Sequence, residues 1–242
     1  MRVLITGAGG NLGTKLHHHL RGRYDLVLTS RSGRPNTDIQ AADLTDWDEA
    51  WVRLFRGVGV VVHLAANPDP ASAWSQLVAP NIDMVLNVCE ACVANHVGRV
   101  VFASSNHVLS GYRQYDRPPI LRGDTPPNPG NPYGASKLFA ERIGKSFSER
   151  HAVAWIAVRI GMNRANYNNA PGPHMDDWSR KMWLSDGDYC QLMECCINAV
   201  QVPRWTTVNG VSNNTGTRWD LNEARALVGY QPQDNAFDTC RE

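Results

Sequence analysis

Tyr133-Gly134-Ala135-Ser136-Lys137 places a phenol and an ammonium four residues apart, near the start of a helix-like stretch. On a helix, residues at that spacing share one face. A lysine beside a phenol favours phenolate and draws the tyrosine pKa from about 10 toward the working pH. Such a tyrosine can take a proton from an alcohol or return it. Upstream, Phe102-Ala103-Ser104-Ser105-Asn106 closes a β-rich run with hydroxyls, and a hydroxyl there can orient a substrate oxygen toward the tyrosine. At the chain start, Thr6-Gly7-Ala8-Gly9-Gly10-Asn11-Leu12-Gly13 spaces Gly7, Gly10 and Gly13 as G-x-x-G-x-x-G. The glycines follow a strand and open a helix, the context in which tight turns and free helix N–H groups cradle a pyrophosphate. A dinucleotide cradle ahead of a tyrosine acid–base is the equipment for hydride exchange with nicotinamide.

The end of the second strand decides which dinucleotide. A carboxylate there selects NAD through the ribose 2′-hydroxyl. Here the residues read Thr29-Ser30-Arg31-Ser32, with Arg34 just beyond. Ser30 and Arg31 can hold a 2′-phosphate through charge-assisted hydrogen bonds, so the reading favours NADP, with NAD as the alternative. Stacking of Arg31 on adenine is the competing role.

These groups need a scaffold that alternates strands and helices. Strand-like runs cover Arg2–Thr6, Leu26–Thr29, Val58–Ala66, Arg99–Ser104, Val153–Arg159 and Arg204–Asn209. Helical patterns cover Asn11–Arg21, Asp46–Phe55, Asn81–Asn95, Pro132–Arg150 and Leu221–Val228, the last closed by Gly229, while Ser185 caps another running to Ala199. Asn106–Asn131 and Gly161–Trp178 read as irregular loops. The alternation predicts an α/β fold: a Rossmann-type, doubly wound parallel sheet covered on both faces. Residues 1–160 form the dinucleotide-binding core, and 161–242 a small substrate-binding portion packed on the same domain.

Composition narrows the function classes. The 242 residues carry 24 Lys plus Arg and 23 Asp plus Glu, a formal net charge of +1. No basic stripe is present for nucleic acid. The longest apolar runs fall well short of the roughly 20 residues of a membrane span, and the N-terminus enters a strand directly. The expectation is a cytoplasmic enzyme with a small-molecule substrate, no nucleic-acid partner and no membrane. The six cysteines read as reduced thiols: Cys89 and Cys92 lie inside a helical pattern with no second pair. His17, His18 and His19 point about 100° apart on a helix and cannot converge on one ion, so no metal is expected.

The ordered set of glycine loop, terminal serines and Y-x-x-x-K resembles the extended short-chain dehydrogenase/reductases, the NAD(P)-dependent epimerase/dehydratase family, over nearly the whole length. Asp43-Leu44, His63-Leu64-Ala65-Ala66 and Asn81 match its pattern as well. The resemblance implies that Ser105 is the catalytic serine, Tyr133 the acid–base and Lys137 the holder of the nicotinamide ribose, with Asn81 supporting the proton relay. It implies cofactor contacts at Gly7, Gly10, Asn11, Leu12, Gly13, Ser30, Arg31, Asp43, Leu44, Leu64, Ala65, Ala66, Lys137 and Ile160. It also implies a homodimer, built on the helices of Asn81–Asn95 and Pro132–Arg150.

Within the family the chain looks most like uronate dehydrogenases, through Phe102–His107, Tyr133–Lys137, Arg159-Ile160-Gly161, Trp183-Leu184-Ser185 and Gly210-Val211-Ser212-Asn213. Substrate contacts then fall to Asn106 and His107, with Asn67, Asn163, Trp178 and Arg180 as further candidates; Asp69 and His174 are polar neighbours. Three departures stand out. Met162 replaces the serine that follows the Arg-Ile-Gly run, Ser30 replaces the acid that selects NAD, and Trp178 stands where an arginine grips the uronate carboxylate, with Arg180 two residues on. The short C-terminal portion favours a small sugar or sugar acid over a nucleotide sugar. A sugar-nucleotide epimerase or dehydratase with tightly bound NAD is the alternative, and a non-catalytic dinucleotide sensor the third reading.

Overall fold

In the computed structural model, which describes residues 1–165, 169–172 and 175–238, seven parallel strands form one sheet in the order β3-β2-β1-β4-β5-β6-β7. The strands are β1 (Arg2–Thr6), β2 (Asp25–Ser30), β3 (Ile39–Ala41), β4 (Val60–His63), β5 (Arg99–Ser105), β6 (Ala154–Ile160) and β7 (Trp205–Gly210). Strand side chains alternate between faces. Val3 and Ile5 of β1 accordingly join one core, with Val101, Ile156 and Val208, while Leu4 joins the other, with Val61, Val100 and Trp155. Burial on both faces explains why these strands read as continuous apolar runs.

The helices are α1 (Asn11–Leu20), α2 (Glu49–Val52), α3 (Trp74–Val78), α4 (Met84–Ala94), α5 (Pro132–Arg150), α6 (Asp177–Lys181), α7 (Asp186–Asn198) and α8 (Asn222–Val228). Ser185 caps α7 by accepting from Asp188 N–H, and Gly229 ends α8 in the left-handed region at φ 78°. Chain order reverses between β1 and β4, opening a crevice at their carboxyl ends, where ligands of such sheets bind.

Three stretches differ from the sequence expectation. The helix expected from Asn81 begins at Trp74: α3 runs into α4 through a π-helical turn, Ala79–Asp83, that contains Pro80. The stretch Trp74–Ala94 is also the one helix among the described residues with the length and hydropathy of a membrane span, yet Leu77, Val85, Val88 and Cys92 bury one side of it in the core. The loop after β5 begins as a 3-10 helix, Asn106–Gln114, and α6 interrupts the irregular stretch before α7. The portion after residue 160 is no appendage, since β7 pairs with β6 from Trp155↔Trp205 to Ile160↔Gly210. His174 and Cys240 lie outside the described residues.

Candidate active site

The glycine loop fits a group that must approach its backbone closely. Gly7 adopts φ +68°, and a Cβ there would sit 2.8 Å from Ala65 N. A Cβ on Gly13 would lie 2.3 Å from Gly7 O. No side chain caps α1 at Gly10, so the helix N-terminus keeps free N–H groups and positive potential for an anion. Thr6 anchors the opposite wall: its Oγ accepts from Leu64 and Ala65 N–H, each at 3.2 Å, and donates to His63 Nδ1 at 2.7 Å. His63 is buried and held neutral, its pKa pushed down to about 3 by burial and by the charge of Lys137.

Gly7, Gly10, Asn11, Leu12, Gly13, Leu64, Ala65, Ala66 and Ile160 line a single cavity of about 720 Å3 together with Ser105, Asn106, His107, Tyr133, Lys137 and Asn163. The two halves predicted separately from sequence therefore share one space. Its wall also includes Pro68, Met162, Arg164 and Met182, which the sequence reading did not assign to it.

Tyr133 and Lys137 stand in the first two turns of α5, which Asn131 caps through Gly134 N–H at 2.8 Å. Ser105 ends β5, accepts from His107 N–H at 3.2 Å and stands near enough to the Tyr133 phenol to favour its ionised form. The serine hydroxyl carries one hydrogen that it can give to the phenol oxygen. Lys137 donates to Ala103 O at 2.9 Å, with Nζ 5.9 Å from the Tyr133 ring centre. Burial raises the tyrosine above its usual value and only the Ser105 hydroxyl offsets it, while burial pushes Lys137 down to about 8. The expected lowering of the phenol by the lysine does not appear: desolvation raises it, and the hydroxyl that favours the phenolate belongs to Ser105.

Asn81 lies behind the cavity rather than in its wall. The π-turn directs its amide onto Asn67, accepting from Asn67 N–H at 2.8 Å, and onto Ser136 Oγ at 3.0 Å, and Ser136 in turn donates to Tyr133 O. It braces the first turn of α5. Asn67 is committed to the same loop through Ser72 and Asn81 and does not line the cavity. Trp178 packs against Trp219 at 4.8 Å, and Arg180 donates to Met175 O and faces the Phe237 ring, so neither reaches the cavity wall. The buried Asn106 amide is tied to Ile160 O at 3.2 Å.

At the far end of the crevice, Ser30, Arg31, Asp43 and Leu44 lie outside the cavity wall. Leu44 is core, and Asp43 is held below the usual carboxylate range by Thr45 and, more weakly, by the nearby charge of Arg31. Arg34 lies across the glycine loop, donating to Gly9 O, with a Cβ on Gly9 only 3.1 Å from its Nε.

Two arrangements escaped the sequence reading. Beneath the cavity, Glu141 accepts from Ser104 at 2.6 Å and from Arg159 at 3.0 and 2.9 Å, fully buried. The signal was present: Glu141 follows Tyr133 and Lys137 at four-residue steps, on the same helical face. Over the cavity, Lys15 reaches Asn163, Arg164 O and Asp186, the last at 2.7 Å, while Asn163 and Asn169 bond Leu184 O and Asp186. Nothing in local sequence announces those pairings. His19 belongs to a separate surface cluster with Arg23 and Glu194, and the five described cysteines are free thiols.

Comparison with known proteins agrees with this geometry. The chain is 34% identical to a NAD-dependent glucose-6-phosphate dehydrogenase of Haloferax volcanii, spanning 98% of this chain and 94% of that protein. It is 34% identical to an L-arabinose 1-dehydrogenase (NAD(P)(+)) of the same organism, spanning 97% of both. The solved uronate dehydrogenase from Agrobacterium tumefaciens superimposes with a TM-score of 0.81 at 29% identity, covering 98% of this chain and 86% of that one. Residues 3–186 match the family described as NAD dependent epimerase/dehydratase. From glycine loop to tyrosine helix, the protein belongs to the NAD dependent epimerase/dehydratase family.

Proposed function

We infer that the protein is an NAD(P)-dependent dehydrogenase that oxidises a small sugar or sugar acid, with NADP as the preferred cofactor. The observation that carries this reading is the convergence of Ser105, Tyr133 and Lys137 on the cavity that the glycine loop also lines. Gly7, Gly10, Asn11, Leu12 and Gly13 would hold the pyrophosphate, and Leu64, Ala65, Ala66, Lys137 and Ile160 the nicotinamide end. When bound, the nicotinamide supplies the hydride acceptor. Tyr133 takes the hydroxyl proton of the substrate. Ser105 orients that oxygen and stabilises the phenolate with its own hydrogen. Lys137, held on Ala103 O, brings positive charge to the floor beside the tyrosine.

Ser30, Arg31 and Arg34, with no carboxylate at the end of β2, support the NADP preference. The names of the relatives support the sugar class. A homodimer and a cytoplasmic location complete the proposal, the former checked by light scattering. The deciding experiment follows nicotinamide absorbance with NADP and NAD against hexuronates, sugar phosphates, neutral aldoses and simple polar aldehydes. Turnover with one sugar class, lost in Tyr133→Phe, is expected. Absence of turnover from a protein purified with dinucleotide bound would favour the epimerase or dehydratase reading.

A further inference from the structure

His107 lines the cavity with its ring edge-on to Tyr133 at 5.4 Å between centres. Its Nδ1 lies 2.9 Å from Nδ2 of Asn131. The second bond of Asn131 removes any ambiguity about which end of the amide faces the ring. Oδ1 accepts from Gly134 N–H as the cap of α5, so the other end is the NH2 group, a donor only. A donor can be met only by a bare ring nitrogen. A neutral imidazole with bare Nδ1 carries its proton on Nε2.

We propose that Asn131, through its role as a helix cap, fixes His107 as the Nε2–H tautomer, so that the ring meets the substrate as a hydrogen-bond donor beside the Tyr133 hydroxyl. Asn131 is thus a positioning residue that acts through His107. One amide serves both the helix that carries the acid–base and the ring that would recognise the substrate, coupling their orientations. The donor role toward substrate rests on the dehydrogenase reading; the tautomer does not.

The groups facing the ring favour the neutral form. They are the Tyr133 phenol from α5 and the Asn131 amide that caps it, with Lys137 and Arg164 in the same cavity wall. No carboxylate lines that wall among the described residues. Burial holds the imidazole below its ordinary value, and a second ring N–H would point at the Asn131 donor.

The test is a pH titration of the imidazole nitrogens by 15N NMR on the full chain, with His107→Gln used to assign the signal. Wild type should show Nε2–H and titrate below the free-histidine range. Asn131→Asp keeps an oxygen to cap Gly134 but sets an acceptor against Nδ1, so the tautomer should switch and the pKa rise by at least about one unit, tenfold in proton affinity. Asn131→Ser, which can still cap the helix, should give a mixture. An Nδ1–H signal in wild type would overturn the assignment, as would Asn131→Asp with an unchanged titration. With a sugar that turns over, Asn131→Asp should raise KM more than it lowers kcat, and an unchanged KM would overturn the donor role. If wild type oxidises no sugar, the dehydrogenase reading falls while the NMR still decides the tautomer.

Discussion

The floor and the roof of the cavity both use a carboxylate bound to a cation, yet they are built on different physics. In the floor, Glu141 and Arg159 are 1% and 2% exposed, Glu141 holds Ser104 of β5 and Arg159 of β6, and Arg159 reaches on to Gly123 O in the turn beyond. In the roof, Lys15 and Asp186 are 19% and 40% exposed and hold a loop through the Asn163 and Asn169 side chains and Arg164 O. Burying a charge pair is costly, and breaking one half of it costs more. A partly exposed pair is screened and weak. The floor therefore fixes the reacting groups rigidly, whereas the roof can be remodelled at little energetic cost. That difference suits a fold whose chemistry is constant and whose substrates vary.

The sharpest break of this comparison removes one carboxylate from each side. Glu141→Ala leaves Arg159 buried without its anion and should destabilise by about 3–5 kcal/mol, read from the denaturant midpoint. Lys137→Met separates stability from activity on the floor itself. Because burial depresses Lys137 to about 8 from 10.5, its charge costs stability in full below pH 8, on the order of 3 kcal/mol. That cost fades as pH rises toward 10.5. The variant should lose turnover yet melt higher than wild type at pH 7, with the gap closing between pH 8 and 10.5; a gap independent of pH would count against the buried charge. Asp186→Ala, the matching deletion in the roof, should cost only about 1 kcal/mol and appear as faster amide exchange in the roof loop around Asn163. Equal losses for Glu141→Ala and Asp186→Ala would erase the distinction. The smallest effect belongs to the far end of the crevice. Arg31→Ala and Arg34→Ala should each weaken NADP by about tenfold or less, the scale of one charge-assisted bond, and NAD hardly at all. Equal weakening of both dinucleotides would remove the 2′-phosphate role.

The groups that stand on the floor were legible in the sequence because their signals are local, although the Glu141–Arg159 pair beneath them was not read. A glycine triplet after a strand, serines ending a strand and a tyrosine four residues before a lysine each carry their meaning within a few residues. The parallel sheet was legible for the same reason, since strands buried on both faces read as apolar runs. The roof was not. Trp178 and Arg180 looked available for substrate, but α6 turns them into contacts with Trp219 and Phe237, residues far along the chain. Asn67 and Asn81 were read as site groups, and the structure shows them bracing one another through a π-turn that no pattern of apolar residues predicts. The phenol shift ran opposite to expectation because spacing reveals who stands beside Tyr133, while burial is a property of the whole fold.

The reach of Lys15 also sets an order in time. Its partner Asp186 lies 171 residues further along the chain. The glycine loop therefore leaves the ribosome well before the segment that roofs it. Closing so long a loop carries an entropic cost that local helices and neighbouring strands avoid. A nascent chain released before α7 would own the glycine loop and Tyr133, yet lack the anchor that roofs them. Closure of the roof is thereby deferred until α7 has emerged.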